Sequence, residues 1–373
     1  MSERKNVFIT GATGFLGSHL AARLLEDGRN VIALARGSKT ASPKARVEDV
    51  LREVGVSSFE NLKVVEGDIS QPGLGLNEAA VQDILSAADE VWHCAASLSF
   101  EQEDRDEIFR MNVDGTRYLV DIVNQTRTRR LQHVSTAYVA GNRSDATESE
   151  IHAGQTFRNA YEESKCRAEL LIADEHGKGA ILATVYRPSI VIGDSKTGRV
   201  THFHGVYAFI RALWAALERL RRRTPDADFI HLPLRVLGVE TQTLNFVPID
   251  YVVDGMVAIS QHPDSLGGTY HLTNPVPTEN RVWLPNICRL LRVEGIQLVD
   301  AKSYAETPMT RLEGLFQKQM AFYYQYLQGE PRFDCRRTLE ALKGTGIECP
   351  PVTVGFIDRM VGWYVNYLNT SKT

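Results

Sequence analysis

Cysteine is scarce. The five residues, Cys94, Cys166, Cys288, Cys335 and Cys349, are odd in number, widely scattered and never form a CxxC pair. That pattern argues against a disulfide framework and against a thiolate metal site, and a reducing cytoplasm is the expected compartment. No metal is expected. Long hydrophobic runs are missing too: none reaches the roughly 18 uncharged apolar residues of a membrane span, and the best candidate, 181–193, is interrupted by Arg187 and Pro188. The first residues, Met-Ser-Glu-Arg-Lys, carry no apolar signal segment, so neither export nor anchoring is expected. Charge of one sign is lacking as well. A net charge of −4 gives no electrostatic footprint for DNA or RNA, and nucleic acid is not an expected partner. Internal repeats and low-complexity linkers are absent.

What is present is a chain with 43% hydrophobic residues, enough for a substantial core. Short β-branched runs alternate with amphipathic stretches. Strands are predicted at 7–10, 31–36, 62–67, 90–95, 131–137 and 182–192, with helices at 14–27, 104–125 and 160–176. This is the pattern of strand and crossover helix in an α/β fold, a Rossmann-type doubly wound parallel sheet. After Gly193 the alternation breaks down into a basic helix at 205–223, a strand at 244–248, a helix at 250–260, a strand at 269–272 and a helix at 310–327. The expected organisation is a dinucleotide-binding domain over 1–200, with a strand returning at about 244–260. Residues 201–373 then form a smaller substrate-binding cap with a helical C-terminal tail.

The first strand runs into Thr10-Gly11-Ala12-Thr13-Gly14-Phe15-Leu16-Gly17 and then a helix. In that context Gly11 allows a tight turn, Gly14 admits a pyrophosphate close to the backbone, and Gly17 lets the helix pack on the sheet. The second strand ends in Leu34-Ala35-Arg36, where an NAD-preferring site has an acid. An arginine there pairs with a 2′-phosphate, which points to NADPH; the competing reading is a solvent-facing side chain. Gly67-Asp68-Ile69 falls where an adenine edge is read, although Asp68 also suits a turn.

Tyr161 and Lys165 stand four residues apart on a predicted helix, so both project from one face. An ammonium beside a phenol lowers its pKa, and the phenol then protonates a carbonyl as hydride arrives. A second donor must hold the carbonyl oxygen, and the strand ending His133-Val134-Ser135-Thr136 offers two. Alternation along a strand lets only one of Ser135 and Thr136 face the site. His133 is read as structural, with no third partner for a Ser/His triad, and Cys166 as a small packed residue.

GATGFLG at 11–17, HVSTAYV at 133–139, YEESK at 161–165, RPSIV at 187–191, GDSKTG at 193–198 and NFVPID at 245–250 together resemble the thioester reductase branch of the extended short-chain dehydrogenases/reductases. That branch includes the terminal reductase domains of non-ribosomal peptide synthetases, polyketide synthases and carboxylic acid reductases, with fatty acyl-CoA reductases as relatives. The resemblance covers roughly the first three quarters of the chain and fades after about Pro275. It implies Thr136, Tyr161 and Lys165 as the catalytic trio. It also implies pyrophosphate contacts from Gly11, Thr13, Gly14, Phe15, Leu16 and Gly17, and 2′-phosphate contacts from Arg36 and Arg46. Asp68 and Ile69 would meet the adenine. Ala95, Ala96 and Asn112 would line the cofactor, and Pro188, Ser189 and Ile190 the nicotinamide.

The implied reaction is NADPH-dependent reduction of a CoA- or carrier-protein-linked acyl thioester to an aldehyde, or on to the alcohol. With no adenylation or carrier segment read in these residues, a partner is expected to deliver the substrate. The rival readings are reduction of a free ketone, aldehyde or alcohol by the same trio, and a non-catalytic NADP-binding sensor. Two softer features each have two readings. Arg221 to Arg223 would grip a phosphate or an acidic carrier, or cap a solvated helix end. Phe316, Tyr323 and Tyr324 would wall an acyl tunnel, or simply fill core.

Overall fold

Seven short segments, most of them rich in β-branched and aromatic residues, pair side by side with every pairing parallel: β1 (Asn6–Thr10), β2 (Asn30–Ala35), β3 (Leu62–Glu66), β4 (Glu90–His93), β5 (Arg130–Val134), β6 (Leu182–Pro188) and β7 (Thr269–Leu272). This computed structural model describes residues 4–99 and 102–370, and within those it leaves the side chains of residues 85, 102 and 319–324 undescribed. The strand order is β7-β6-β5-β4-β1-β2-β3, so the direction of winding reverses between β1 and β4. In such sheets the crevice at the carboxyl ends of the two reversing strands takes the ligand. The expected α/β, doubly wound parallel sheet is the one found.

Apart from the edge strand β3, the strand residues are mostly buried on both faces because crossover helices cover each side. Phe8, Ile32, Leu34, Val91, Leu131, Ala183 and Val185 pack with Leu119, Val120, Ile122, Val123 and Ile172 into one core. Burying each large side chain contributes about 1.5–3 kcal/mol. The Phe15–Glu26 helix turns Leu20, Ala21 and Leu24 inward at helical spacing. Ser42 and Asn77 cap the Pro43–Glu53 and Glu78–Ala87 helices through their side-chain oxygens.

Three predicted elements come out differently. The helix expected over 104–125 is interrupted: an α-helical turn at Arg105–Phe109 leads into a π-helical stretch at Arg110–Asp114, then α-helix at Gly115–Val123. The strand expected over 182–192 divides at Ser189, giving β6 and a separate strand, Ile190–Ile192. Pro188 lacks an N–H and so weakens the ladder at that point. The strand expected at 244–248 also divides, into Thr243–Leu244 and Phe246–Pro248, and the latter pairs with Ile190–Ile192 rather than with the large sheet. What returns to the large sheet is the Ile249–Gln261 helix and β7.

The chain divides into two units. The first contains Met1–Ser189, Asp250–Thr273 and Pro331–Glu348; the second contains Ile190–Ile249, Asn274–Glu330 and Cys349–Thr373. The second unit holds a parallel pair, Ile230–Leu237 with Val293–Val299, and the helices Val206–Arg221, Asn280–Leu290, Arg311–Leu327 and Val354–Thr370. Its core includes Phe209, which meets Trp283 and Phe316 edge-on. Phe316 is therefore a packed residue; Tyr323 and Tyr324 lie outside the described side chains.

Candidate active site

The glycine turn sits at the reversal point of the sheet. Gly11 has φ +78, and a Cβ there would lie 2.5 Å from the Ala95 nitrogen, so the turn after β1 packs directly on the chain leaving β4. A Cβ on Gly17 would overlap the Gly11 carbonyl, so that glycine is fixed by helix packing. Gly14 is different. Its added Cβ would meet only the Gly11 oxygen, at 3.3 Å, so the space beyond it is not filled by the protein. Gly14 is also the N-cap of the Phe15–Glu26 helix, with no side-chain cap and no acid in the first turn. A backbone cradle at the positive end of a helix, with room at Gly14, suits an anionic pyrophosphate, and the residues present fit a dinucleotide. Thr13 and Leu16 are partly exposed in this turn, and Phe15 lies edge-on to His19 at 5.2 Å.

Arg36, Arg46 and Asp68 come together beyond the ends of β2 and β3. Arg36 Nη1 lies 3.6 Å from Asp68 Oδ2, and Arg46 Nη1 donates to the Arg36 carbonyl at 2.6 Å. Asp68 also accepts from the Ser70 N–H and hydroxyl at 2.9 and 2.8 Å, which is the turn role the sequence allowed. Burial raises the Asp68 carboxyl, but the Ser70 bonds and Arg36 outweigh it and the net direction is down. Ile69 packs its side chain into the core, against Gly115, so only its backbone is left for a ligand. Ala95 and Ala96 follow β4, partly exposed.

Thr136, Tyr161 and Lys165 are brought together. Thr136 ends the chain leaving β5; its hydroxyl donates to the Pro188 carbonyl at 3.5 Å and accepts from the Tyr138 N–H at 3.3 Å. The Tyr161 phenol comes close enough to this hydroxyl to feel it. Ser135 faces the other way, with a buried hydroxyl that has no hydrogen-bond partner. The Ala160–Gly177 helix is capped by Asn159, which accepts from the Glu162 N–H, so Tyr161 and Lys165 fall on its first two turns. Lys165 is buried and donates to the Val134 carbonyl at 2.6 Å. Asn112, in the π-helical stretch, donates to Ser164 Oγ at 2.9 Å and accepts from the Ser97 N–H at 2.7 Å. π-Helical turns are frequent at functional sites because they redirect one side chain out of register. Ser189 lies beside Pro188 at the end of β6, its N–H donating to Leu272 at 3.4 Å. Ile190 falls in the second unit and bonds Asn245.

The electrostatics correct one expectation. Tyr161 was expected to be lowered by Lys165, yet burial pushes the phenol up, the Thr136 hydroxyl only partly offsets it, and Glu162 adds to the rise. Lys165 makes its bond to Val134 instead. Burial pulls the Lys165 ammonium down to about 8, against the opposing effects of Glu169 and Cys94. His133 is fully buried, far below its usual pKa, with neither ring nitrogen bonded. Cys166 is buried, its thiol raised to about 11 mainly by burial, as befits a packed residue. Arg221 donates to the Leu291 carbonyl and lies 3.5 Å from Glu218, at the end of the Val206–Arg221 helix.

Sequence reasoning missed a buried ion pair behind the trio. Arg187, which leads into Pro188, bonds Glu169 through Nε at 3.0 and 3.1 Å and through Nη2.

Among known proteins, the NAD-binding family described as "Male sterility protein" matches residues 9–256. The chain belongs to this family. Within it the chain is an extended short-chain dehydrogenase/reductase of the thioester reductase branch, as the sequence motifs implied. A nonribosomal peptide synthetase of Aspergillus flavus is 27% identical over 289 residues, covering 74% of this chain and 26% of that protein. Human fatty acyl-CoA reductase 1 is 35% identical over 153 residues, 38% of this chain and 30% of the enzyme. The chain thus spans between a quarter and a third of these two relatives. The crystal structure of the terminal R domain from the myxalamid PKS-NRPS biosynthetic pathway superposes with a TM-score of 0.79 at 26% identity, covering 98% of this chain and 92% of that one. Among the described residues, no helix of this male sterility family member is long and apolar enough to cross a membrane, and no group of His, Cys, Asp and Glu is placed to hold a metal.

Proposed function

We propose that the chain reduces an acyl thioester, borne by CoA or by a carrier protein, to an aldehyde with NADPH. The observation that carries the reading is the approach of the Tyr161 phenol to the Thr136 hydroxyl, with Lys165 one helical turn further on. The relatives named above include a synthetase and an acyl-CoA reductase, which supports a thioester as the substrate class.

A bound nicotinamide supplies the hydride. Gly11, Thr13, Gly14, Phe15, Leu16 and Gly17 hold the pyrophosphate at the helix N-terminus, and Arg36 with Arg46 offers guanidinium groups to a 2′-phosphate. Ala95, Ala96, Asn112, Pro188 and Ser189, all of the first unit, would line the remainder of the cofactor. The substrate carbonyl oxygen replaces the contact between Thr136 and Tyr161, so that both hydroxyls donate to it. Thr136 stabilises the charge that develops there, and Tyr161 gives up its proton. The raised phenol keeps Tyr161 protonated until that moment, and the Lys165 charge favours the phenolate left behind. The resulting thiohemiacetal collapses with cleavage of its C–S bond, giving aldehyde and thiol.

The test is a panel of acyl-CoA and acyl-pantetheine thioesters beside matched free aldehydes and ketones, with the products identified. Aldehyde from a thioester supports the reading, and alcohol extends it to a second hydride. Turnover of free carbonyls alone overturns it.

A further inference from the structure

Glu169 and Arg187 are each only 1% exposed, yet every polar contact around them is made. Glu169 accepts from Arg187 Nε and Nη2; Arg187 Nη2 also donates to the Glu150 carbonyl at 2.9 Å, and Nη1 to the Thr147 carbonyl and His271 Nε2, both at 3.3 Å. His271 Nδ1 lies 2.7 Å from the Asp334 carbonyl, so the ring carries its proton on Nδ1 and presents Nε2 as an acceptor to Arg187. One guanidinium therefore joins the Ala160–Gly177 helix, the 147–150 segment, β6 and β7. Breaking one member of such a pair leaves an uncompensated buried charge, so pairs of this kind are costly to place without a use.

The use lies one turn away. The titratable groups facing Lys165 are His93 and Cys94 from the end of β4, His133 from β5, and Glu169 on its own helix. Burial pulls both histidines down and pushes the Cys94 thiol up to about 12, so none of those three carries charge at neutral pH. Glu169 is the formal anion in this set. Its carboxylate also anchors the helix to β6, the strand that ends in Pro188, whose carbonyl receives the Thr136 hydroxyl.

Resting on the reading of Tyr161 and Lys165 as the proton-transfer pair, we infer that Glu169 and Arg187 are positioning residues for the reaction. Their ion pair fixes the helix that bears Tyr161 and Lys165 against the strand that leads to Thr136's partner. Standing one turn along the same helix, the Glu169 carboxylate also favours the charged form of the Lys165 ammonium.

The test uses Glu169→Gln, Glu169→Asp and the double variant Glu169→Gln/Arg187→Gln, which leaves no buried charge unpaired and serves if the single change prevents folding. The Lys165 ammonium is titrated by NMR in cofactor-free, lysine-labelled protein, and the alkaline limb of kcat is recorded alongside. Removing the carboxylate lowers the Lys165 midpoint by about one pH unit or more and moves the alkaline limb down with it, whereas Glu169→Asp keeps both within about 0.3 of the parent. A midpoint unmoved in the Gln variants, or equally lowered in the Asp variant, overturns the inference. If the parent reduces no thioester, the functional reading falls, while the titration still decides the role of Glu169.

Discussion

Lys165 Nζ donates to the Val134 carbonyl at 2.6 Å, which ties the Ala160–Gly177 helix to the end of β5 two residues before Thr136. The bond orients a buried cation that has lost most of its hydration. Lys165→Met removes both charge and anchor, and kcat is expected to fall by about 10²–10⁴. Lys165→Arg is expected to fall nearly as far, because the planar guanidinium does not fit a site built for one point donor. Single-turnover kinetics with NADPH check both.

Thr136 and Tyr161 are expected to separate by chemistry. Thr136→Ser keeps the hydroxyl and stays within about tenfold of the parent, while Thr136→Ala loses about 10²-fold in kcat, the scale of one oxyanion donor. Steady-state rates at saturating cofactor decide between them.

The three glycines of the first turn make a contrast that distinguishes packing from binding. A methyl group at Gly11 or Gly17 collides with backbone atoms, so Gly11→Ala and Gly17→Ala lower the melting temperature. Gly14→Ala meets one oxygen at 3.3 Å and is expected to fold, but to lose NADPH affinity by tenfold or more because the methyl group occupies pyrophosphate space. Thermal melts together with NADPH fluorescence titrations check this.

If the proposed reading holds, Arg36 sets the choice of cofactor. Arg36→Ala is expected to raise the KM for NADPH about tenfold and leave that for NADH nearly unchanged, since a 2′-hydroxyl has no use for the guanidinium. Equal loss with both cofactors would contradict this assignment.

Acid is expected to destabilise the fold early. His93 and His271 are each pulled down to about 3, chiefly by burial, so the unfolded chain binds protons that the folded one refuses between about 6.5 and 3. Stability therefore falls as pH drops through that window. Lys165 has the same sign at the other end: its folded pKa of about 8 lies below the usual 10.5, so its burial cost is relieved as pH rises from 8 towards 10.5. His93→Gln, which can still bridge towards Thr10 or Thr116, should flatten the acid limb of a melting-temperature profile.

The alternation of β-branched runs and amphipathic stretches made the sheet legible, because a parallel strand covered on both faces has to be apolar throughout. The glycine turn and the Tyr161–Lys165 spacing were legible for a similar reason: each is a local constraint written within a few residues. What the sequence did not show depends on distance. The π-helical stretch that aims Asn112 at Ser164 has no local signature. The break of the long strand at Ser189 is set by where Ile190–Ile192 finds its partner, Phe246–Pro248. The Ile230–Leu237 and Val293–Val299 strands escaped because a Pro in the first and a Gly in the second blur their periodicity. The rise of the Tyr161 pKa was likewise hidden, since burial outweighs the neighbours that a helical spacing suggests.

The first measurement is the rate of NADPH oxidation on an acyl-CoA or acyl-pantetheine, for the parent and for Tyr161→Phe. Thioester-dependent oxidation is expected, falling by about 10² or more in the variant, with NADPH binding retained. Equal rates in the two proteins, or oxidation supported by free carbonyls and by no thioester, would contradict the proposed function.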